Sequence, residues 1–173
     1  MIISNFFSVK IWYAIYVKSR TEKKVASELQ FLGIEHYLPL IKRLKQWSDR
    51  KKWVEEPLFR SYIFVRIEEK DYYTVLHIPA VVKYVTFEKK AVPVPAQQIE
   101  AIHYFLNEKE PEIVDEKNWA KGQKVEIISG SMSGLIGTLV EFKGKRRVNI
   151  EIEAIGKSLL IQVPKNRLRV IKY

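Results

Sequence analysis

The chain has 173 residues, no cysteine, and a formal net charge of +10 from 30 Lys and Arg against 20 Asp and Glu. That length allows one ordinary domain or two small ones, and 47% hydrophobic residues are enough for a folded core. Without cysteine there is no disulfide scaffold, no thiolate-bound zinc or iron–sulfur cluster and no cysteine nucleophile; three histidines (His36, His77, His103) are too few for a multi-histidine metal site. No apolar run approaches the ~20 residues a membrane helix needs. The N-terminus lacks the basic region of a signal peptide, so a soluble cytoplasmic protein without membrane contact is expected.

In chain order, Ile11 to Val17 alternate as a strand, with Ile11, Tyr13, Ile15 and Val17 on one side and Trp12, Ala14, Tyr16 and Lys18 on the other. Ser19-x-x-Glu22 reads as a capping box at a helix start. Val25, Leu29 and Leu32 repeat at helical spacing, and Gly33 suits the left-handed residue after the helix end. Residues His36 to Lys45 and Trp53 to Leu58 form the arms of a long hairpin. Phe59 to Ile67 is a strand, Lys70 to His77 a short helix stopped by Pro79, and Val81 to Phe87 a fourth strand. Pro95 opens a helix carrying Ile99, Ile102 and Leu106. The order β-α-β-β-α-β-α predicts an α+β, split βαβ (ferredoxin-like) domain with helices on one face of an antiparallel sheet. Within the strand ending at Ile67, Ile63, Val65 and Ile67 suit the helix side. Tyr62 and Phe64 have the opposite parity and point to the open side, where Tyr16 can join them. An aromatic patch left open on a small domain awaits a partner.

An acidic, aperiodic stretch from 108 to 119 reads as a linker. Residues 120–173 hold five short strands with Gly130, Gly134 and Gly137 between the first two, the pattern of a small SH3-like barrel. The first domain is thus expected at 1–107.

The positive charge is concentrated. Lys42, Arg43, Lys45, Arg50, Lys51 and Lys52 face only Asp49, while Lys143, Lys145, Arg146 and Arg147 form a second cluster. Clustered Lys and Arg suit a phosphate chain through counterion release. Interleaved Trp47 can stack on a base, whereas the second cluster reads as a solvated hairpin tip. Enzyme chemistry is absent from the motifs. Gly156-Lys157-Ser158 lacks the upstream glycine of a phosphate loop, since Glu151 stands there, and no nucleophile elbow or zinc-protease pair occurs. Neither a catalytic residue nor a cofactor is expected.

Two stretches carry a family resemblance. Lys121 to Gly137, with glycine at its central turn, resembles a KOW motif. Trp12-Tyr13, Glu22-Lys-Lys-Val-Ala and Glu56-Pro-Leu-Phe-Arg-Ser-Tyr62-Ile-Phe64-Val resemble the N-terminal (NGN) domain of NusG-type transcription elongation factors. The hairpin sequence Trp47 to Lys52 resembles specialised paralogues such as RfaH and the UpxY group linked to capsular polysaccharide operons. One departure is Phe59-Arg60-Ser61 where many relatives have Phe-Pro-Gly or Phe-Pro-Asn before the tyrosine, which bears on the local turn.

The resemblance implies a monomeric factor that rides on RNA polymerase and suppresses pausing or termination. Tyr16, Phe59, Tyr62 and Phe64, with Phe87 at the last strand, would grip the clamp helices of the largest polymerase subunit. Thr74 would face the opposite polymerase pincer. Upstream or non-template DNA would pass Arg20, Lys23 and Lys24 and the hairpin residues Lys42, Arg43, Lys45, Trp47, Arg50, Lys51 and Lys52. The KOW domain would recruit a partner such as Rho or a ribosomal protein. Alternatives are a housekeeping NusG acting with Rho, and an RRM-like RNA-binding module, since Arg60 to Ile67 partly fits the ribonucleoprotein octapeptide.

Overall fold

Strand β1 (Ile11–Val17) lies inside the first sheet, where its alternating side chains serve two different faces. The computed structural model describes residues 9–47, 50–108, 122–142 and 145–171. The chain divides into two compact units, 1–93 and 94–173.

In the first unit, β1 is followed by α1 (Glu22–Phe31), β2 (Glu35–Tyr37), β3 (Leu40–Gln46), β4 (Lys51–Pro57), β5 (Tyr62–Ile67), α2 (Tyr72–Leu76) and β6 (Val81–Tyr84). Strands β2, β5, β1 and β6 neighbour one another in that order, and every pairing is antiparallel. Ile15 and Val17 of β1 and Ile63, Val65 and Ile67 of β5 share one buried cluster with Val25 and Leu29 of α1 and Val75 of α2. The parity expected for both strands is the one observed. Burying each such aliphatic side chain stabilises the fold by ~1.5–3 kcal/mol. Tyr84 completes this core: its hydroxyl donates to the carbonyl of Tyr72 at 3.1 Å, and its ring stacks on that of Tyr72. Burial, then the nearby Tyr72, Tyr13 and Asp71, push its phenol well above the ordinary tyrosine range.

The local details depart from expectation at four points. The helix begins after Thr21, not Ser19, and Glu22 makes no capping box. Its buried carboxylate instead accepts the backbone N–H of Ser61 at 2.8 Å. Gly33 does take the left-handed conformation after α1 (φ 67°), but Leu32 is the helix cap and is exposed rather than core. The long hairpin begins at Leu40, because residues 35–37 pair with β5 in the main sheet instead. The fourth strand stops at Tyr84. Residues Thr86–Phe87 (β7) turn back on Lys90–Ala91 (β8) through Glu88 and Lys89, both at positive φ. Two left-handed central residues are the geometry of a type I′ turn, which the absence of Asn or Gly conceals at the level of sequence.

The turn into β5 answers the question raised by Phe59-Arg60-Ser61. Tyr62 N–H donates to Phe59 C=O at 3.3 Å, and Ser61 holds φ 66°. Positive φ at the third turn position is what a type II turn requires and what glycine or asparagine adopts with least strain. The turn survives with serine because Glu22 fixes its amide.

After β9 (Pro93–Val94), the second unit contains α3 (Ala96–Leu106), β10 (Gln123–Ile127), β11 (Ile136–Phe142), β12 (Lys145–Ile152), β13 (Lys157–Ile161) and β14 (Leu168–Val170). The last five strands form one antiparallel sheet in the order β13-β12-β11-β10-β14. Val125, Ile127, Val148, Ile150 and Ile152 are buried in it. At Gly137 a Cβ would come within 2.6 Å of both Val148 and Ile150 side chains, so β11 can approach β12 there only without a side chain. Helix α3 lies in the same compact unit as this sheet. Tyr104 donates to Gln162 C=O at 2.9 Å. Glu108 accepts Gln162 N–H and an Arg147 N–H, each at 2.7 Å. Arg147 is therefore buried in an ion pair and is not part of a solvated tip. Residues 109–119 of the expected linker, and Lys143, lie outside the described residues.

Two outcomes are expected. Ser61→Gly should raise unfolding stability by about 1 kcal/mol by relieving the left-handed strain, and Glu22→Ala should lower it by ~1–3 kcal/mol by stranding a buried N–H; denaturant titration checks both. Tyr84 is held protonated in the fold, so its contribution is intact below pH ~10 and lost as pH rises through its folded value. Ultraviolet tyrosinate titration should then show one tyrosine ionising only as the protein unfolds, and Tyr84→Phe should remove that late step.

Candidate functional site

The face of the first sheet turned away from α1 and α2 carries aromatic rings in register. Tyr16 of β1 lies directly opposite Tyr62 of β5, and the rings meet edge to face with centroids 5.5 Å apart. Tyr37 of β2 lies opposite Phe64, stacked at 6.5 Å, and Phe59 meets Phe64 edge-on at 6.3 Å. Accessibility divides this set. Tyr16 is exposed and Tyr62 half-buried, whereas Phe64 is fully buried and Phe59 nearly so. The parity read from sequence is right, but Phe64 does not stand on an open face. It is packed between Tyr37 and Phe59.

Strands β3 and β4 form a separate two-stranded ribbon. Its register sorts the basic cluster into two faces. Arg43, Val54, Lys45 and Lys52 occupy one, and continuing the alternation brings Trp47 and Arg50 to the same side. Lys42, Glu55, Leu44, Trp53, Gln46 and Lys51 occupy the other. The tip is closed by Trp47 N–H donating to Arg50 C=O at 2.8 Å, and Trp47 is 56% exposed. The cations are not equivalent. Lys45 pairs with Glu56, and that hydrogen bond is the main reason the Glu56 carboxyl is held below the usual carboxylate range. Lys42 lies 3.9 Å from Glu55. Lys23 of α1 donates to Glu55 C=O at 3.1 Å, so it braces the ribbon against the helix. Arg43, Arg50, Lys51 and Lys52 make no ion pair or side-chain hydrogen bond among the described residues and are exposed.

Arg20 and Lys24 are exposed beside the start of α1, and Thr74 is exposed on α2. Phe87 is 72% exposed, but in strand β7 of the β7–β8 hairpin rather than in the sheet of β1 and β5. The sequence reading missed Trp53 and Leu44, a cross-strand pair exposed on the second ribbon face, and Tyr37 beside Phe64. Counting parity outward from a two-residue tip would have found the Leu44–Trp53 pair. Among the described residues no three His, Cys, Asp or Glu side chains gather to hold a metal, and no helix is long and apolar enough to cross a membrane.

The family model described as "Transcription termination factor nusG" matches residues 10–103, more than half of the chain. The chain belongs to the NusG family. Proteins of this family are transcription termination and antitermination factors rather than enzymes. Similar proteins include the transcription termination/antitermination protein NusG of Rickettsia conorii (strain ATCC VR-613 / Malish 7), 22% identical, with 94% of this chain and 91% of that protein covered. NusG of Chlamydia pneumoniae is 25% identical over 84% of this chain and 86% of its own. Among solved structures, one titled "Domain interaction in Thermotoga maritima NusG" aligns with a TM-score of 0.48 at 22% identity, covering 94% of this chain and 98% of that one. The MjSpt4:Spt5 complex aligns at 0.32 and 19% identity, with the same coverage.

Neighbouring rings on this NusG sheet should respond differently to truncation. Phe64→Ala should destabilise the fold by ~3–5 kcal/mol through the cavity it leaves, and Tyr16→Ala by about 1 kcal/mol or less. Thermal melts of the two variants check the division between support and surface.

Proposed function

We propose that this NusG-family chain is an elongation and antitermination factor that holds RNA polymerase through the Tyr16–Tyr62 pair and nucleic acid through the β3–β4 ribbon. The observation that carries the reading is the pairing of two accessible tyrosines, Tyr16 and Tyr62, on the sheet face opposite the helices. A ring pair on a rigid sheet suits a protein partner, because little side-chain freedom is lost when it is covered. The clamp helices of the largest polymerase subunit are the proposed partner, with Thr74 toward the opposite pincer. Phe87 is a peripheral contact in this reading. The mechanism is differential binding of polymerase conformations: a factor that prefers the closed clamp shifts the population away from paused states, with no bond made or broken.

The ribbon supports a polyanion partner by its own electrostatics. Lys45 and Lys52 stand directly opposite each other; Glu56 offsets the charge of Lys45, and phosphate would offset that of Lys52. Arg43, Arg50 and Trp47 on the same face supply further charge and a stacking surface for upstream or non-template DNA, with Arg20 and Lys24 along its path. This built-up ribbon favours the specialised reading, in a polysaccharide-type operon, over a housekeeping NusG acting with Rho. The sheet of the second unit is proposed as the KOW domain that recruits Rho or a ribosomal protein. Burial of Phe64 weighs against an RRM-like module, which would need that ring free to stack on a base.

Binding to purified polymerase elongation complexes tests the reading. Tyr16→Ala combined with Tyr62→Ala should weaken binding roughly a hundredfold or more, since buried interface rings are each worth ~2 kcal/mol. Unchanged polymerase binding would reject the proposed grip. Replacing Arg43, Arg50 and Lys52 with Ala should flatten the dependence of log affinity on log salt by ~0.7 per lost contact on single-stranded DNA. Trp47→Ala should cost about 1–3 kcal/mol if a base stacks there.

A further inference from the structure

The second face of the β3–β4 ribbon, turned away from Arg43 and Lys45, carries the cross-strand pairs Lys42–Glu55, Leu44–Trp53 and Gln46–Lys51. Trp53 is 65% exposed and Leu44 49%, so an indole stands open to solvent at the centre of this face. Beside it, Lys42, Trp53 and Glu55 line an open recess of about 590 Å³, a volume in the range of small-molecule sites. From Leu40 to Pro57 the chain holds six cations against three acids. One of those cations, Lys51, is two residues from Trp53 on the same strand and face, and it is exposed with no ion pair among the described residues.

An exposed indole among ammonium groups suits single-stranded nucleic acid, the ring taking a base and the lysines taking phosphate. Glu55 is the exception in such surroundings, because a carboxylate repels phosphate. Its place is nevertheless fixed: Lys23 of α1 donates to the Glu55 backbone carbonyl at 3.1 Å, and Lys42 offsets the carboxylate charge from 3.9 Å, beyond hydrogen-bond distance. The carboxylate is left half-exposed beside the stacking ring. There it can accept from the exocyclic amino group of a base, which cytosine and adenine carry and thymine lacks. An acidic peptide would meet the lysines but be repelled by Glu55. We propose that Trp53, Glu55 and Lys51 form a base-reading site for single-stranded DNA: a base stacks on the Trp53 ring, its amino group donates to Glu55, and the neighbouring phosphate meets Lys51. Trp47 belongs to the opposite face, so a strand held there leaves this site free. The proposal rests on the reading that the ribbon binds nucleic acid, and it adds a choice of base to the charge of the other face.

The full chain, labelled with 5-fluorotryptophan, should be titrated at constant ionic strength with single-stranded oligodeoxycytidylate and oligodeoxythymidylate of about 15 nucleotides. Fluorine NMR follows its four tryptophan signals, assigned by single Trp→Phe variants. The Trp53 signal should shift saturably, and the cytidylate should bind at least about fivefold more tightly than the thymidylate. Trp53→Ala should remove that preference. Glu55→Ala, an exposed change that keeps the indole in place, should equalise the two oligomers without altering the melting temperature. Polyglutamate should leave the Trp53 signal unmoved. If Trp47 shifts with DNA and Trp53 does not, this site is overturned while the ribbon reading stands; if neither shifts, both fall. Equal affinity of the two oligomers for the unaltered chain, or a preference that survives Glu55→Ala, would overturn the base-reading role. A Trp53 signal that polyglutamate moves as readily as cytidylate, or that moves on dilution of the protein alone, would assign this face to a protein partner or a second copy and overturn the proposal.

Discussion

The hydrogen bond from Ser61 N–H to the buried carboxylate of Glu22 sits where the reading frame of β5 is set. A strand's side chains alternate strictly, so the residue that leaves the preceding turn decides which face every later residue takes. With Ser61 held left-handed, Tyr62 enters β5 opposite Tyr16, and Ile63, Val65 and Ile67 fall toward α1 and α2. A slip of one residue would bury the tyrosine and expose three aliphatic side chains. The same carboxylate belongs to the first residue of α1, so the bond also ties that helix to the start of the strand it packs on. Core and aromatic face are thus specified together by one turn.

The second unit uses a carboxylate in a comparable way. Glu108, just past α3, accepts from Arg147 and from the backbone of Gln162, while Tyr104 donates to the carbonyl of that same residue. The backbone just beyond the edge strand β13 is therefore satisfied by groups from α3. Edge backbone is otherwise a template for pairing with other chains. The buried Arg147 is held by a partner 39 residues distant in sequence.

That distance explains what the sequence could and could not reveal. Strand parity, the hairpin, the glycine after α1 and the order of the five later strands are local patterns, and all are legible from spacing alone. The role of Glu22 is not, because its position three residues after Ser19 imitates a cap while its true partner lies 39 residues away. The positive-φ turn at Glu88 and Lys89 is hidden because neither residue advertises that conformation. Parity correctly put Phe64 on the face opposite the helices but could not say that Tyr37 and Phe59 would pack against it. Likewise, composition showed six clustered cations, and only the structure showed Lys42 beside Glu55 and Lys45 paired with Glu56.

Among the described residues, the ribbon of β3 and β4 pairs with no third strand. Its side chains contribute little to the central core, in which Ile63, Val65 and the helices interlock. Selection can therefore lengthen, recharge or replace the tip while the sheet that carries the tyrosine pair keeps its stability. Stability of the sheet and charge of the tip are therefore separable quantities in this chain.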